Sequence, residues 1–329
     1  EAIRDIIFGK VNPSGKLAET YPIKLEDNIN AEFFPMGPKC VEHRESIFVG
    51  YRYYDTAEKE VLFPFGYGLS YTTFEYSDLV VDGFKVSFKV KNTGKVAGKE
   101  VVQLYVSDKA PKVFKAKKEL KGFEKIFLKA GEEKAVSFTL AERSFAFYNT
   151  KVNAFTALNG TYEILIGASS RDIRLSKEIE IKSFKDVEIE NYLEECPEYF
   201  NIKDMKSISQ ETFKKIYKQE IPENVPTKRG EFDKNATIGD LQCCIIGKFI
   251  MALAPKIIAS QVKNADFTTM LMIKQGMIEM PLRGLNGVTQ GLLDDKVMDG
   301  MLLWANKHRL KGLGKLIGGL FATLKNVKK

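Results

Sequence analysis

The feature that most constrains this chain is a period-two alternation of apolar and polar residues between Phe84 and Ile181. Val86, Phe88 and Val90 alternate with Lys85, Ser87 and Lys89, and Val102, Leu104 and Val106 with Gln103, Tyr105 and Ser107. Successive side chains on a strand point to opposite faces, so each run makes a strand with one dry face. The pattern returns at Val136/Phe138/Leu140, Tyr162/Ile164/Ile166 and Ile173/Leu175/Ile179/Ile181, with turns at Asn92-Thr93-Gly94, Ala130-Gly131 and Asn159-Gly160 between the runs. About seven short strands at this spacing predict a two-sheet sandwich of immunoglobulin-like type, here over residues 78–183. Tyrosines on its outward positions, such as Tyr105, are expected to be exposed, as cross-strand packing residues in preference to a sugar platform.

The flanks have other periods. At 329 residues the chain exceeds what a single core supports, and two or more domains are expected. Residues 1–77 are loop-rich, with a turn at Asn12-Pro13-Ser14-Gly15. They open on a helix entered midway, whose stripe of Ile3, Ile6 and Ile7 is expected to pack against something upstream of Glu1. Residues 184–329 read as a helical C-terminal extension, with helices at roughly 186–195, 207–219, 266–280, 294–307 and 309–325. Within it Thr237-Ile238-Gly239-Asp240 is a capping-box start to an apolar segment ending near Ser260, and Pro222, Pro226 and Gly230 mark a linker.

The formal net charge is +7, and residues 300–329 carry seven Lys/Arg and no Asp or Glu. The excess is therefore local, with no base-reading or stacking residues beside it, and no nucleic-acid partner is expected. The basic end has the composition of an interfacial helix. Gly312, Gly314, Gly318 and Gly319 weaken it as an isolated helix, so a terminus docked on the helical region, with no membrane partner, is the preferred reading. The longest apolar runs are interrupted by Lys248 and Lys315 and are too short to span a bilayer. Cys40, Cys196 and the adjacent Cys243 and Cys244, with only two histidines, lack metal-ligand spacing. No metal or cofactor is expected. Buried free thiols fit a reducing, cytoplasmic location.

The densest charged stretch lies before the sandwich. Glu42, His43, Arg44, Glu45, Arg52 and Asp55 stand among Tyr51, Tyr53 and Tyr54. Sugar sites combine carboxylates, guanidinium forks and aromatic faces, which makes Glu45, Arg52, Tyr53 and Asp55 the substrate-proximal candidates. The competing reading is structural, a loop that docks this segment on the sandwich.

Several separated motifs, in one order, resemble a known family. The run Ile7-Phe8-Gly9-Lys10-Val11-Asn12-Pro13-Ser14-Gly15-Lys16-Leu17-Ala18 is similar to the end of the second domain of glycoside hydrolase family 3. Gly50-Tyr51-Arg52-Tyr53-Tyr54-Asp55 and Phe63-Pro64-Phe65-Gly66-Tyr67-Gly68-Leu69-Ser70-Tyr71 resemble the two signatures that close that domain in β-glucosidases. Val90-Lys91-Asn92-Thr93-Gly94, Gly98 to Val106, Glu119-Leu120-Lys121-Gly122-Phe123 and Gly167 to Ile173 are similar to the family's fibronectin type III-like domain. The helical tail, with Met280-Pro281-Leu282-Arg283, looks like an extension found in some bacterial members.

The resemblance implies a fold made of the end of an α/β sandwich domain, residues 1–77, then the β-sandwich and the tail. It also implies retaining, exo-acting hydrolysis of terminal β-linked sugars by an aspartate nucleophile and a glutamate acid/base. Neither residue is identifiable. The Ser-Asp pairs continue as Ser77-Asp78-Leu79 and Ser107-Asp108-Lys109, not with the family's aromatic, and Gly230-Glu231-Phe232-Asp233-Lys234 falls out of order for the acid/base loop. The expectation is a fragment that supports a catalytic domain upstream, inactive alone, with a β-linked oligosaccharide or glycoside as that domain's partner and a homo-oligomer left open. The rival is a non-catalytic β-sandwich binding or scaffold module. Family membership leaves glucosidase, xylosidase and glucosaminidase activities open.

Overall fold

The structure is a computed structural model that describes all residues except 32, 35–36, 38–39, 246, 250, 253–265, 285–286, 288–294 and 328–329. The chain divides into two compact units, one of residues 1–36 and 41–222, the other of residues 37–40 and 223–329.

The sandwich dominates the first unit. Its strands are β3 (Phe74–Asp82), β4 (Lys85–Asn92), β5 (Gly98–Asp108), β6 (Glu119–Leu128), β7 (Glu133–Thr139), β10 (Gly160–Gly167) and β11 (Ile173–Ile181). They form a three-stranded sheet in the order β3-β4-β7 and a four-stranded sheet in the order β11-β10-β5-β6, all neighbours antiparallel. A short hairpin, β8 (Phe147–Asn149) with β9 (Ala154–Thr156), fills the connection to β10. Val86, Phe88 and Val90 share one core with Val102, Leu104, Val106, Ile164 and Ile166. The alternation that predicts the domain is thus the alternation that fills it.

Two departures from the expected pattern have local causes. The three residues before the predicted start, Glu75, Tyr76 and Ser77, already pair with β4, and Tyr76 lies in the core, stacked on Phe88 at 6.2 Å. The register shifts between Ser77 and Val80, where Asp78 adopts φ 57°, and this bulge interrupts the period that would mark the strand. At the other end Phe184 closes the same core. Tyr105, expected to be exposed, is fully buried. The outer face of β5 is covered by Tyr51, whose ring meets Tyr105 edge-on at 6.1 Å and stacks on Phe65 at 4.6 Å. Strand β5 therefore has two dry faces.

The stretch before the sandwich holds α1 (Ala2–Ile7), a two-stranded ribbon of β1 (Tyr21–Pro22) with β2 (Val61–Phe63), and α2 (Tyr51–Thr56). No residue of α1 is buried, and of its apolar stripe Ile3 and Ile7 face outward at 75% and 69% exposure while Ile6 is half-buried. Residues 184–222, expected as part of the helical extension, belong instead to this first unit. They carry α3 (Tyr192–Glu195) and α4 (Gln210–Tyr217), and Cys196, Tyr199, Ile202, Ile208 and Phe213 form a second core with Phe48, Tyr53 and Tyr54. The division at Pro222/Glu223 falls inside the proline-marked linker.

The second unit contains α5 (Phe267–Glu279), α6 (Asp295–Ala305) and α7 (Arg309–Val327), close to three of the expected helices. The capping box forms as the sequence requires: Thr237 N donates to Asp240 Oδ2 at 2.8 Å and Asp240 N to Thr237 Oγ1 at 3.1 Å. It opens a short 3-10 turn, Asp240–Cys243, and the apolar segment expected to end near Ser260 lies partly outside the described residues. Ile238, Leu241, Met277, Leu282, Val297, Met298 and Met301 make this unit's core. The Glu231-containing spelling is structural, because Phe232 is buried there and exchanges two hydrogen bonds with Asn306, at 2.9 and 2.8 Å. Helices α6 and α7 approach closely at glycines: a Cβ on Gly312 would stand 2.7 Å from Trp304 N, and one on Gly300 2.7 Å from Leu316 N. Lys315 Nζ adds an ion pair to Asp299 at 2.9 Å. Of the adjacent cysteines, Cys244 is buried and Cys243, expected to be buried, is exposed, because Cys243 ends a single 3-10 turn that turns only one of the pair inward.

Candidate functional site: a charged clamp beside an aromatic groove

The charged stretch 42–55 is not one site. Arg44 Nε donates to Glu42 Oε2 at 2.7 Å and Arg44 Nη1 to the carbonyl of Ile208 at 3.2 Å. Gln210 Nε2 donates to Glu42 Oε1 at 2.6 Å, and the Tyr199 hydroxyl donates to Arg44 O at 2.7 Å. The first of these contacts braces the loop internally, and the other three stitch it to residues 199–210. Glu45 is buried, 2.8 Å from His43 Nδ1 and 3.4 Å from the Asn30 amide. Tyr53 is buried in the second core, and burial pushes its hydroxyl pKa up to about 12.

Asp55 is buried in α2 together with Tyr53 and Tyr54, the third to fifth positions of the helix. Its Oδ1 accepts from Arg171 Nε at 2.7 Å, and its Oδ2 lies 3.4 Å from Lys118 Nζ. Arg171 Nη2 also donates to the carbonyls of Tyr54, at 3.1 Å, and Lys59, at 2.7 Å. Burial lowers the Lys118 pKa, partly opposed by the Asp55 carboxylate. Arg171 stands on the β10–β11 turn and Lys118 just before β6, so this triad bolts α2 to the four-stranded sheet. Neither cation was visible as a partner in the sequence, since 116 residues separate Arg171 from Asp55. The one available signal was that a carboxylate on the inner face of an amphipathic helix requires a cation from elsewhere.

Further along, the same flank is locked by backbone contacts. Gln103 Nε2 donates to Gly66 O at 3.1 Å and to Ala168 O at 2.8 Å, and Lys16 Nζ reaches Glu100 at 3.2 Å. Gly66 has φ +79°, and a Cβ there would lie 2.1 Å from Gln103 Oε1, so the position requires glycine twice over.

Arg52 differs from the other three candidates. Its side chain is 40% exposed, its Nε lies 3.7 Å from Glu119 Oε1, and it lines a groove of about 750 Å³ together with Phe114, Lys121, Arg143, Tyr148 and Phe155. Tyr148 and Phe155, each half exposed, meet edge-to-face at 5.2 Å on the β8–β9 hairpin. The groove thus sets aromatic rings beside cations and a carboxylate, with the Arg143 guanidinium lying over the Phe155 ring. The two Ser-Asp aspartates are committed elsewhere: Asp78 pairs with Lys89 at 2.9 Å and Asp108 with Lys115 at 3.4 Å. Among the described residues, no group of three or more His, Cys, Asp or Glu is placed to hold a metal ion.

The first unit is thus of a recognisable class: a module in which a short segment of helices and strands is bolted to the flank of an immunoglobulin-like sandwich. Residues 1–71 match the glycosyl hydrolase family 3 C-terminal domain and residues 100–170 the fibronectin type III-like domain. A thermostable beta-glucosidase B of Acetivibrio thermocellus is 55% identical over 190 residues, covering 55% of this chain and 25% of the relative. An exo-alpha-(1->6)-L-arabinopyranosidase of Bifidobacterium breve is 46% identical, covering 52% of this chain and 23% of its own length. The crystal structure of a beta-glucosidase from Kluyveromyces marxianus in complex with glucose superposes with a TM-score of 0.53 at 44% identity, over 55% of this chain and 23% of that one. Over its first 180 or so residues this chain is similar, in domain order, to the C-terminal part of glycoside hydrolase family 3 proteins, fibronectin type III-like domain included. It spans about a quarter of the length of the curated relatives it matches.

Proposed function

We propose that this chain is the C-terminal portion of a retaining, exo-acting β-glycosidase, β-glucosidase-like, and that it supplies structural support to a catalytic domain encoded upstream. The observation that carries the reading is the order of two matched domains, residues 1–71 then 100–170, joined by the Asp55–Arg171–Lys118 triad. The nucleophile and acid/base of such an enzyme lie outside these residues, and a β-linked oligosaccharide or glycoside is the substrate of the assembled protein. Glu45, Tyr53 and Asp55 serve through packing and pairing. Arg52, open on the groove, is the candidate of the four whose side chain remains accessible to a sugar. Cysteines standing as thiols support a reducing, cytoplasmic location.

The test has two arms. The purified chain is expected to show no turnover of aryl β-glucosides, whereas the protein encoded by the extended upstream reading frame, with a barrel domain, hydrolyses them. Turnover by the isolated chain that a substitution within residues 1–329 abolishes, or a natural start codon near Glu1 with no upstream barrel, would overturn the proposal.

A further inference from the structure

The sequence sets two readings of the basic terminus against each other, a docked helix or a membrane-surface helix. The structure satisfies the first without using up the second. Helix α7 is held against α6 by the close approach at Gly300 and Gly312, by Leu316 packed on the core of the second unit, and by the Lys315–Asp299 pair. Two of the glycines that weaken an isolated helix, Gly312 and Gly319, are buried. The helix therefore need not fold on its own.

A different face stays outward. Leu310 is 88% exposed, Leu313 43%, Ile317 46% and Phe321 68%, and these positions fall at i, i+3, i+7 and i+11, one narrow stripe along the helix. Lys307, Arg309 and Lys311, all exposed, stand at the start of the stripe with no acidic partner among the described residues. Residues 300–329 contain no Asp or Glu that would oppose an anion. An apolar stripe beside unopposed cations, on a helix pre-formed by its docking, matches an anionic surface whose interior is apolar.

We propose that α7 is a membrane-surface helix that seats the second unit on an anionic lipid bilayer, with Leu310, Leu313, Ile317 and Phe321 entering the headgroup boundary and Lys307, Arg309 and Lys311 meeting lipid phosphate. Apolar burial and charge attraction add in such a contact, and the attraction weakens as salt screens it. No helix among the described residues is long and apolar enough to cross a membrane, so the proposed contact lies at the surface. It reverses the preference for a terminus without a membrane partner, because the covered face and the apolar stripe prove to be different faces.

The experiment is flotation of the purified chain with vesicles of phosphatidylglycerol and, in parallel, of phosphatidylcholine. Binding is expected to phosphatidylglycerol only, and to weaken strongly at about 1 M salt, where the Debye length is ~3 Å. Replacing Lys307, Arg309 and Lys311 by glutamine should weaken it roughly 100-fold, about fivefold per cation. A Leu310→Ser/Ile317→Ser/Phe321→Ser variant should lose binding while its circular dichroism melt stays unchanged, since those side chains are exposed. Absence of binding to phosphatidylglycerol, equal binding to both lipids, or a concentration-dependent dimer that the serine variant dissolves would each overturn the proposal.

Discussion

Removing the Arg171 guanidinium is the sharpest test of the clamp between α2 and the sandwich. In Arg171→Ala, Asp55 keeps only Lys118, at 3.4 Å and without a second anchor, the Lys59 carbonyl loses the Arg171 donor, and the Tyr54 carbonyl keeps only the Lys59 N–H, at 3.0 Å. Breaking a buried ion pair from one side costs about 3–5 kcal/mol. The Arg171 side chain is about one-third exposed and Lys118 stays nearby, so the lower end applies, roughly 3 kcal/mol. Urea unfolding followed by circular dichroism should register this loss in the first unit. Fluorescence of Trp304, the sole tryptophan and part of the second unit, serves as an internal reference that should not move. A double-mutant cycle with Asp55→Asn should return a coupling of about 2 kcal/mol, since the second substitution removes the charge the first leaves stranded. If Arg171→Ala costs less than about 1 kcal/mol, or if the two substitutions are additive, the triad is a surface ornament and the clamp must lie elsewhere.

Two other outcomes follow from the same packing. Burial raises the Tyr53 and Tyr162 hydroxyl pKa values to about 12 from about 10, so their stabilisation is complete below pH 10 and is lost as the pH rises toward 12. Tyr53→Phe should flatten that alkaline loss by about 1.4 kcal/mol per pH unit in urea titrations, and an unchanged slope would count against burial of the hydroxyl. A fragment of residues 72–186 should give a β-type circular dichroism spectrum and a cooperative melt, whereas residues 78–183, deprived of Tyr76 and Phe184, should be less stable by 3 kcal/mol or more. Equal melts would show that neither aromatic closes the core.

What was legible in the sequence was what local period dictates. Lys85–Asn92 alternates cleanly because one face is solvated, and the strand could be read without its partners. β3 was half hidden because the Asp78 bulge changes which side chains point inward midway. Cys196, Tyr199, Ile202, Ile208 and Phe213 follow neither period, since they are spread over a short 3-10 turn, irregular connections and one helix, and their membership in the first unit shows only when Phe48 and Tyr53 are beside them. The charged stretch announced itself by density, yet density does not reveal direction: whether Asp55 faces a ligand or Arg171 depends on a turn more than a hundred residues away. The family motifs were recognisable because much of their length is backbone-determined, in glycine turns such as Gly66 that tolerate little variation.

The contact of Gly66 with Gln103 has a consequence for how such proteins can be recombined. Two separate family descriptions cover residues 1–71 and 100–170, which invites a chimera joined between them. Yet the carbonyl of Gly66 and that of Ala168 share one amide, Ser170 N bonds Phe65 O, and Asn12 bridges Ser70, Tyr71 and Ala97. A crossover at residue 72 would require a foreign sandwich to present glutamine, arginine and a matching turn to an unfamiliar flank. Exchange between relatives should therefore succeed when the two segments move together as one cassette, and fail more often at a junction placed between them.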